Sequence, residues 1–403
     1  MITLFSAVAI LFLTTLLALY VSRTALIEQR MSANELRHKQ AFEAAQAGLD
    51  RAFIFLSATP QGVDKDIDGA VDASSTANGL LKTLDNGSQY RVAFCSPTPV
   101  PASGTNFCPD DPATAITCPT ALGTTNFSTP LIISCGWSDD SVAHNLVRQN
   151  VGTNSPLVNT PQNPLTAKGA MNVGGSANVV NYYNNLTVWS GGALTSIGNA
   201  GKTFVRNPSV PPPDASTAPP DPPTSCSTSS SYVCLTDKNT TGPDVIPSDQ
   251  TLTNIDNDKL FLNYFGRTLA QVKDDVAARN FLSTDNTALG NLAKAQGETI
   301  VITGDTTLPN VKGANAIGTR DRPVVLIIDG NLNLSGTPEV NGIVYVTGNV
   351  TGAGNVLVKG AMVVAGNVQP SGSVDIIFDP FATGNTVNSG KAGLTPGTWR
   401  DWR

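Results

Sequence analysis

Asp64, Asp66, Asp68 and Gly69 reproduce the first half of a calcium loop, D-x-D-x-D-G. In such a loop alternate carboxylates converge on one hard cation and the glycine permits the turn. The twelfth position is Ser75 rather than a bidentate glutamate, so a solvated acidic loop competes with calcium as the explanation. Six cysteines, Cys95, Cys108, Cys118, Cys135, Cys226 and Cys234, include no CxxC pair, and the only histidines are His38 and His144. A Cys/His zinc site is therefore disfavoured, and the even count reads as three disulfides in an oxidising compartment. The fifteen pairings stay open, though Cys226 with Cys234 would close a short loop. Asp140, Ser141 and His144 are too close in the chain to supply a catalytic triad. Farther on, Asp329, Glu339, Lys359 and Asp375 are the charges of a repeat and lie in different coils, not the paired acids that glycan cleavage needs. No phosphate loop or nucleophile elbow is present. No catalytic residue is assigned, and the chain reads as a non-enzyme.

The elements that would carry these residues begin with a helix. Residues 1–22 contain no Asp, Glu, Lys or Arg, and at about 1.5 Å per residue they are long enough to cross a bilayer. From Arg23 to Leu56 there is no proline, and Ala41, Ala45, Leu49, Ala52, Phe53 and Leu56 recur at helical spacing. One continuous helix over 1–57, apolar and then amphipathic, is expected. Gly48, costly inside a helix, points to close packing there. Arg23, Arg30, Arg37 and Lys39 follow the apolar stretch. By the positive-inside tendency they would hold the remainder in the cytoplasm, whereas disulfides place it outside. Removal of a short basic leader before Met1 resolves the conflict.

The run from Arg23 to Ala52 resembles the N-terminal segment of PilX-type minor pilins of type IV pili. Glu28, Arg30, Met31 and Asn34 match its E-x-R-M-x-x-N motif. Ala41, Phe42, Ala44, Ala45, Ala47, Gly48 and Leu49 match the A-F-x-A-A-x-A-G-L that follows. The resemblance covers about the first 57 residues. It implies leader cleavage with N-methylation at Met1, residence in the bacterial inner membrane before assembly, and export into an extracellular pilus. Other minor pilins, the major pilin and a tip adhesin would be the partners. Most type IV pilins carry glutamate at the fifth position, where this chain has Phe5, a departure that resembles minor subunits. Gly136, Ser138, Ser141 and Ala143 resemble, less specifically, a strand-end segment of pilin-like proteins.

The remainder suits strands and turns: charged residues make up 14%, with 36 Gly and 27 Pro. A net charge of −6 gives no electrostatic support to nucleic-acid binding. Residues 58–153 read as a small disulfide-bonded head, with a turn at Asn86-Gly87 and strands around Tyr90–Phe94 and Leu131–Cys135. Glycines then recur every six residues from Gly330 to Gly372, with apolar residues two apart between them. That grammar describes short strands and glycine corners, three strands to an 18-residue coil. It resembles bactofilin-type right-handed coils. The fragment Lys168–Met171 echoes Lys359–Met362. The expected fold class is therefore an α+β pilin-like part followed by a mainly-β parallel β-helix. Its first part is 154–205, a Pro-rich linker and helical insertion occupies 206–298, the coils resume over 299–380, and 381–403 is a capping tail. Phe261, Tyr264 and Phe265 would dock the insertion, and Trp399 and Trp402 would cap an open end.

Overall fold

In a computed structural model, residues 2–58, 81–96, 107–118, 130–153, 155–173, 175–197, 201–214, 217–223, 225–226, 231–237, 239–275, 278–293, 295–390 and 392–401 are described. The chain divides into two compact units. One comprises Met1–Phe55, Gly62–Val151 and Leu394–Arg403, and the other Leu56–Gln61 and Gly152–Gly393.

The first unit is built on helix α1, Ile2–Ala58, which is unbroken. Its buried residues are Ala41, Ala44, Ala45, Leu49 and Ala52, the i, i+3, i+4 spacing that puts one narrow stripe on one face. The stripe lies on an antiparallel sheet containing Lys82–Thr83, Gln89–Cys95, Leu131–Trp137 and His144–Thr153. Contact is close because the facing residues are small. A Cβ on Gly136 would fall 2.1 Å from Ala41 O, and one on Gly48 would fall 2.3 Å from Ser134 Oγ. Alternate residues of the central strand point to the opposite face, where Cys135, Ile133 and Trp137 join Phe107, Cys108 and Ile116 in the core. Two interleaved disulfides, Cys95–Cys118 and Cys108–Cys135, hold residues 107–118 over that face.

The chain's last residues belong to this unit. Thr395 N donates to Asn150 O at 3.0 Å, and Arg148 and Arg400 exchange backbone hydrogen bonds at 2.9 Å in each direction. Trp399 lies edge-on to Phe42 of α1, ring centroids 6.5 Å apart. The expectation that Trp399 caps a coil end is thereby corrected: backbone pairing along the strand that carries Arg148 draws the tail to the sheet and helix. Trp402 lies outside the described residues.

The second unit consists of three ladders of mostly parallel strands. In the first, Ala278–Leu282, Thr299–Thr303, Val324–Asp329, residues 342–346, residues 361–364, Leu165–Ala167, Val188–Ser190 and Val245–Ile246 are successive neighbours. The second runs Thr306–Thr307, Leu332–Leu334, Val350–Gly352, Val368–Pro370, Met171–Val173 and Leu194–Ile197. The third joins residues 339–341 to 355–359, Ser373–Ile377, Asn178–Asn181 and Lys202–Arg206. It closes with antiparallel Tyr232–Thr236, beside the Cys226–Cys234 disulfide.

Registers across the glycine-repeat region advance by 18 residues: Leu326 opposes Val344, Val344 opposes Met362, and Val350 opposes Val368. Apolar residues between the repeat's glycines enter one core, including Leu326, Leu332, Val340, Val344, Val350, Val358, Met362, Val368 and Ile376. Glycine corners stack directly: at Gly360 (φ 139°) a Cβ would meet Gly342 O at 1.9 Å, so only glycine fits there.

Strands of the first ladder are apolar on both faces. Their outer residues Val325, Ile327, Ile343, Tyr345 and Val363 are covered by α2 (Gln250–Asn254), α3 (Asn257–Phe265) and α4 (Leu269–Lys273). Phe261, Tyr264 and Phe265 surround Tyr345 with ring centroids 5.1, 6.3 and 5.5 Å away. Stacking order departs from chain order. Residues 361–364, late in the sequence, lie beside Leu165–Ala167, the earliest ladder strand. The stretch 206–298 is therefore more than linker and helices. It supplies Tyr232–Thr236, Val245–Ile246 and Ala278–Leu282 to the ladders, and its helices return the chain along the first ladder to the far end. There α5 (Asn286–Gly290) adds Leu289 to the core. After the last ladder strand, α6 (Pro380–Asn385) starts at Asp379, whose carboxylate caps the helix and pairs with Arg320 at 2.6 Å.

Candidate interaction surfaces

The amino-terminal half of α1 exposes a run of large apolar side chains: Leu4 is 73% accessible, Phe5 81% and Tyr20 72%. The helix is long and apolar enough to cross a membrane by length and composition. Two hydroxyls in this stretch are satisfied within the helix, as Thr14 Oγ1 donates to Leu11 O at 3.0 Å and Thr15 Oγ1 to Phe12 O at 2.8 Å. This surface needs an apolar environment, whether lipid or other helices, because leaving it in water forfeits about 25 cal/mol per Å² of apolar area.

The two halves of the matched run behave differently. Ala41, Ala44, Ala45 and Leu49 are buried against the unit's own sheet, with Gly48 among them and Ala47 partly covered. Glu28, Arg30, Met31 and Asn34 are exposed. Between them Arg37 reaches out of the helix: its Nη1 donates to Asn34 Oδ1 at 3.4 Å and its Nε to Asp140 Oδ2 at 2.6 Å. Asp140 also accepts from the Ser138 hydroxyl at 2.7 Å and from Val142 N. These hydrogen bonds, Ser138 first, outweigh desolvation and hold its carboxyl below the ordinary range. With both oxygens so engaged, Asp140 orders the turn before the strand of His144, whose Nδ1 lies 3.8 Å from Asp110.

Asp64, Asp66, Asp68 and Met1 lie outside the described residues. Among the described residues no three Asp, Glu, His or Cys side chains converge to hold a metal. Acids on the ladders stay apart. Asp329 pairs with Lys273. Glu339 accepts from Lys359 Nζ at 3.0 Å and Gly313 N at 2.9 Å. Asp375 accepts from Asn178 Nδ2 at 2.7 Å, and burial raises its carboxyl above the usual range.

Beside the second ladder runs an open groove of about 850 Å³. Its floor is the outward face of Thr306–Thr307, Leu332–Leu334 and Val350–Gly352, and Ser283, Asn286 and Leu289 form a wall. Along one side runs a chain of amides. Asn331 N and Nδ2 donate to Asp305 Oδ1 at 2.8 and 2.9 Å. Asn349 N donates to Asn331 Oδ1, Asn367 N to Asn349 Oδ1, and Ala170 N to Asn367 Oδ1, each at 2.8 Å. Gly330-Asn331, Gly348-Asn349 and Gly366-Asn367 recur every 18 residues in the sequence, but that repeat does not show that each asparagine side chain receives the next strand's amide.

Residues 2–50 match the PilX N-terminal family model, so the N-terminal region is similar to that of type IV pilins. Residues 260–373 match the model of a domain of unknown function (DUF8470). No curated protein matches the chain. Among solved structures, the competence-associated pilin ComZ from Thermus thermophilus aligns over 91% of this chain and 97% of its own, at 12% identity and a TM-score of 0.24. That similarity is too low to establish a shared fold.

Proposed function

We propose that this chain is a PilX-like minor type IV pilin, a structural subunit whose helix α1 waits in the inner membrane and then packs into or at the tip of an extracellular filament. The observation that carries the reading is the division of α1. One unbroken helix exposes an apolar half and lays a small-residue stripe on a disulfide-bonded sheet, and the PilX N-terminal match spans both parts. Assembly exchanges lipid for neighbouring pilin helices around the apolar half, leaving the buried stripe in place. Phe5, lacking the family's carboxylate, suits a special position rather than a repeating one.

The three ladders form a parallel β-helix in this reading, supported by the 18-residue register and the single enclosed core. It is the part displayed outward for adhesion or for binding a partner. Mass spectrometry of filaments sheared from intact cells tests the proposal. Recovery of the chain with an N-terminal peptide starting at N-methylated Met1 is the expected result. Retention with the cells under an unprocessed N-terminus would sink it in favour of an anchored adhesin.

A further inference from the structure

We infer that the groove along the second ladder is a binding site for a linear, uncharged glycan. The inference rests on the pilin reading only for where the site would be displayed. Thr307, Asn333, Thr351 and Gln369 stand opposite one another on successive strands, and all four are exposed. Their spacing follows the separation of paired strands, about 4.8 Å, similar to the advance of one sugar ring along an extended glycan. Thr307, Asn333 and Thr351 line the groove, so hydroxyl and amide groups repeat there along a line at right angles to the strands, and Gln369 continues that line beyond it.

The amide chain beside this line is already oriented. Asn331 and Asn349 each use Oδ1 to accept the next strand's N–H and one Nδ2 hydrogen to donate along the chain, so their amide planes are set before any ligand arrives, and the second N–H of each is a pre-organised donor that loses less entropy on binding. Charge then narrows the ligand class. Among the described residues Asp305 is the one ionisable residue lining the groove, and no described Lys or Arg lines it. Hydrogen bonding from Asn331 keeps Asp305 ionised by lowering its pKa. A polyanion such as nucleic acid or an acidic polysaccharide would meet a carboxylate with no compensating cation. Among the described residues Leu289 is the one large apolar residue of the lining, too little for a lipid or an apolar peptide. A neutral polyhydroxyl chain matches both the donors and acceptors and the repeat. Without an aromatic platform each ring binds weakly, and many copies on a filament would supply avidity.

The full chain in detergent micelles, titrated by biolayer interferometry with cellohexaose, chitohexaose, maltohexaose, hexagalacturonate and a single-stranded oligonucleotide, tests the inference. Saturable binding of at least one neutral hexasaccharide is expected, weakened by about tenfold in Thr351→Arg and in Asn333→Arg. Both substitutions sit on exposed outward positions, and circular dichroism checks each fold, so one variant suffices if the other is perturbed. No saturable binding of any neutral oligomer, binding indifferent to both substitutions, or preference for the anionic probes would overturn it. Entry of the Thr351→Arg chain into sheared filaments is scored separately. Normal entry with lost binding supports the site, whereas failure of the wild-type chain to enter filaments overturns the pilin reading and leaves the titration standing.

Discussion

The backbone of Gly136 lies so near that of Ala41 that a Cβ added to the glycine would sit 2.1 Å from the alanine carbonyl oxygen and 2.3 Å from Ala45 N. Neither neighbour is a side chain that can rotate away. Gly136→Ala therefore has to lift α1 from the sheet, with an expected cost of about 1–3 kcal/mol as for overpacked cores. Thermal unfolding of the detergent-solubilised protein measures it, and an unchanged midpoint would show that the close approach is not needed.

Thr306 opposes Leu332 in the second ladder, the inward position that Val350 and Val368 occupy on later strands. Its hydroxyl is buried without a hydrogen-bond partner. Replacing an unsatisfied polar group with an apolar one of the same shape removes a desolvation penalty of about 1–3 kcal/mol. Thr306→Val is expected to stabilise the second unit, seen as a higher midpoint in urea; a loss of stability would contradict the orphaned hydroxyl.

Tyr345 separates ring packing from its polar atom. Its hydroxyl is also buried and unpaired, and burial raises its pKa far above the ordinary tyrosine value. Tyr345→Phe should keep or raise stability, whereas Tyr345→Ala, which empties the space among Phe261, Tyr264 and Phe265, should cost about 3–5 kcal/mol. Equal losses in both variants would show that the hydroxyl, not the ring, holds the helices to the first ladder.

Asp375 supplies a pH dependence. Burial raises its pKa above the reference 3.8, so in the window from that value up to the raised one the folded state binds more protons than the unfolded. Stability from this group is present below about pH 4 and falls as pH rises through the raised pKa. Asp375→Asn cannot ionise, and its amide can donate to Asn178 Oδ1, which lacks a partner. The variant should match wild type in acid and exceed it at neutral pH. An advantage confined to acid would reverse the argument.

Much of this was legible locally. The spacing of Ala41, Ala44, Ala45, Leu49 and Ala52 marks the buried stripe because a helix repeats its faces regardless of what covers them. The six-residue glycines mark corners because Gly360 stacks where no Cβ fits. The role of the Gly-Asn positions was not legible, since an amide that accepts a hydrogen bond from 18 residues away leaves only a repeated letter in the sequence. Trp399 misled because an aromatic residue near a chain end says that it packs, not on what.

Alone, the amino-acid sequence determined the apolar helix and its packing face, the strand-and-corner grammar of the repeat, and the similarity of residues 2–50 to PilX N-termini, all properties carried by neighbours within a turn or a coil. Tertiary structure decided which strands meet: that Met362 pairs with Leu165, that the helices between them return the chain along the first ladder, that Cys95 joins Cys118 and Cys108 joins Cys135, and that the tail rejoins Arg148. Those pairings satisfy backbone donors and acceptors far apart in the chain, and many partners of the same apolar pattern would have satisfied the local rules equally well.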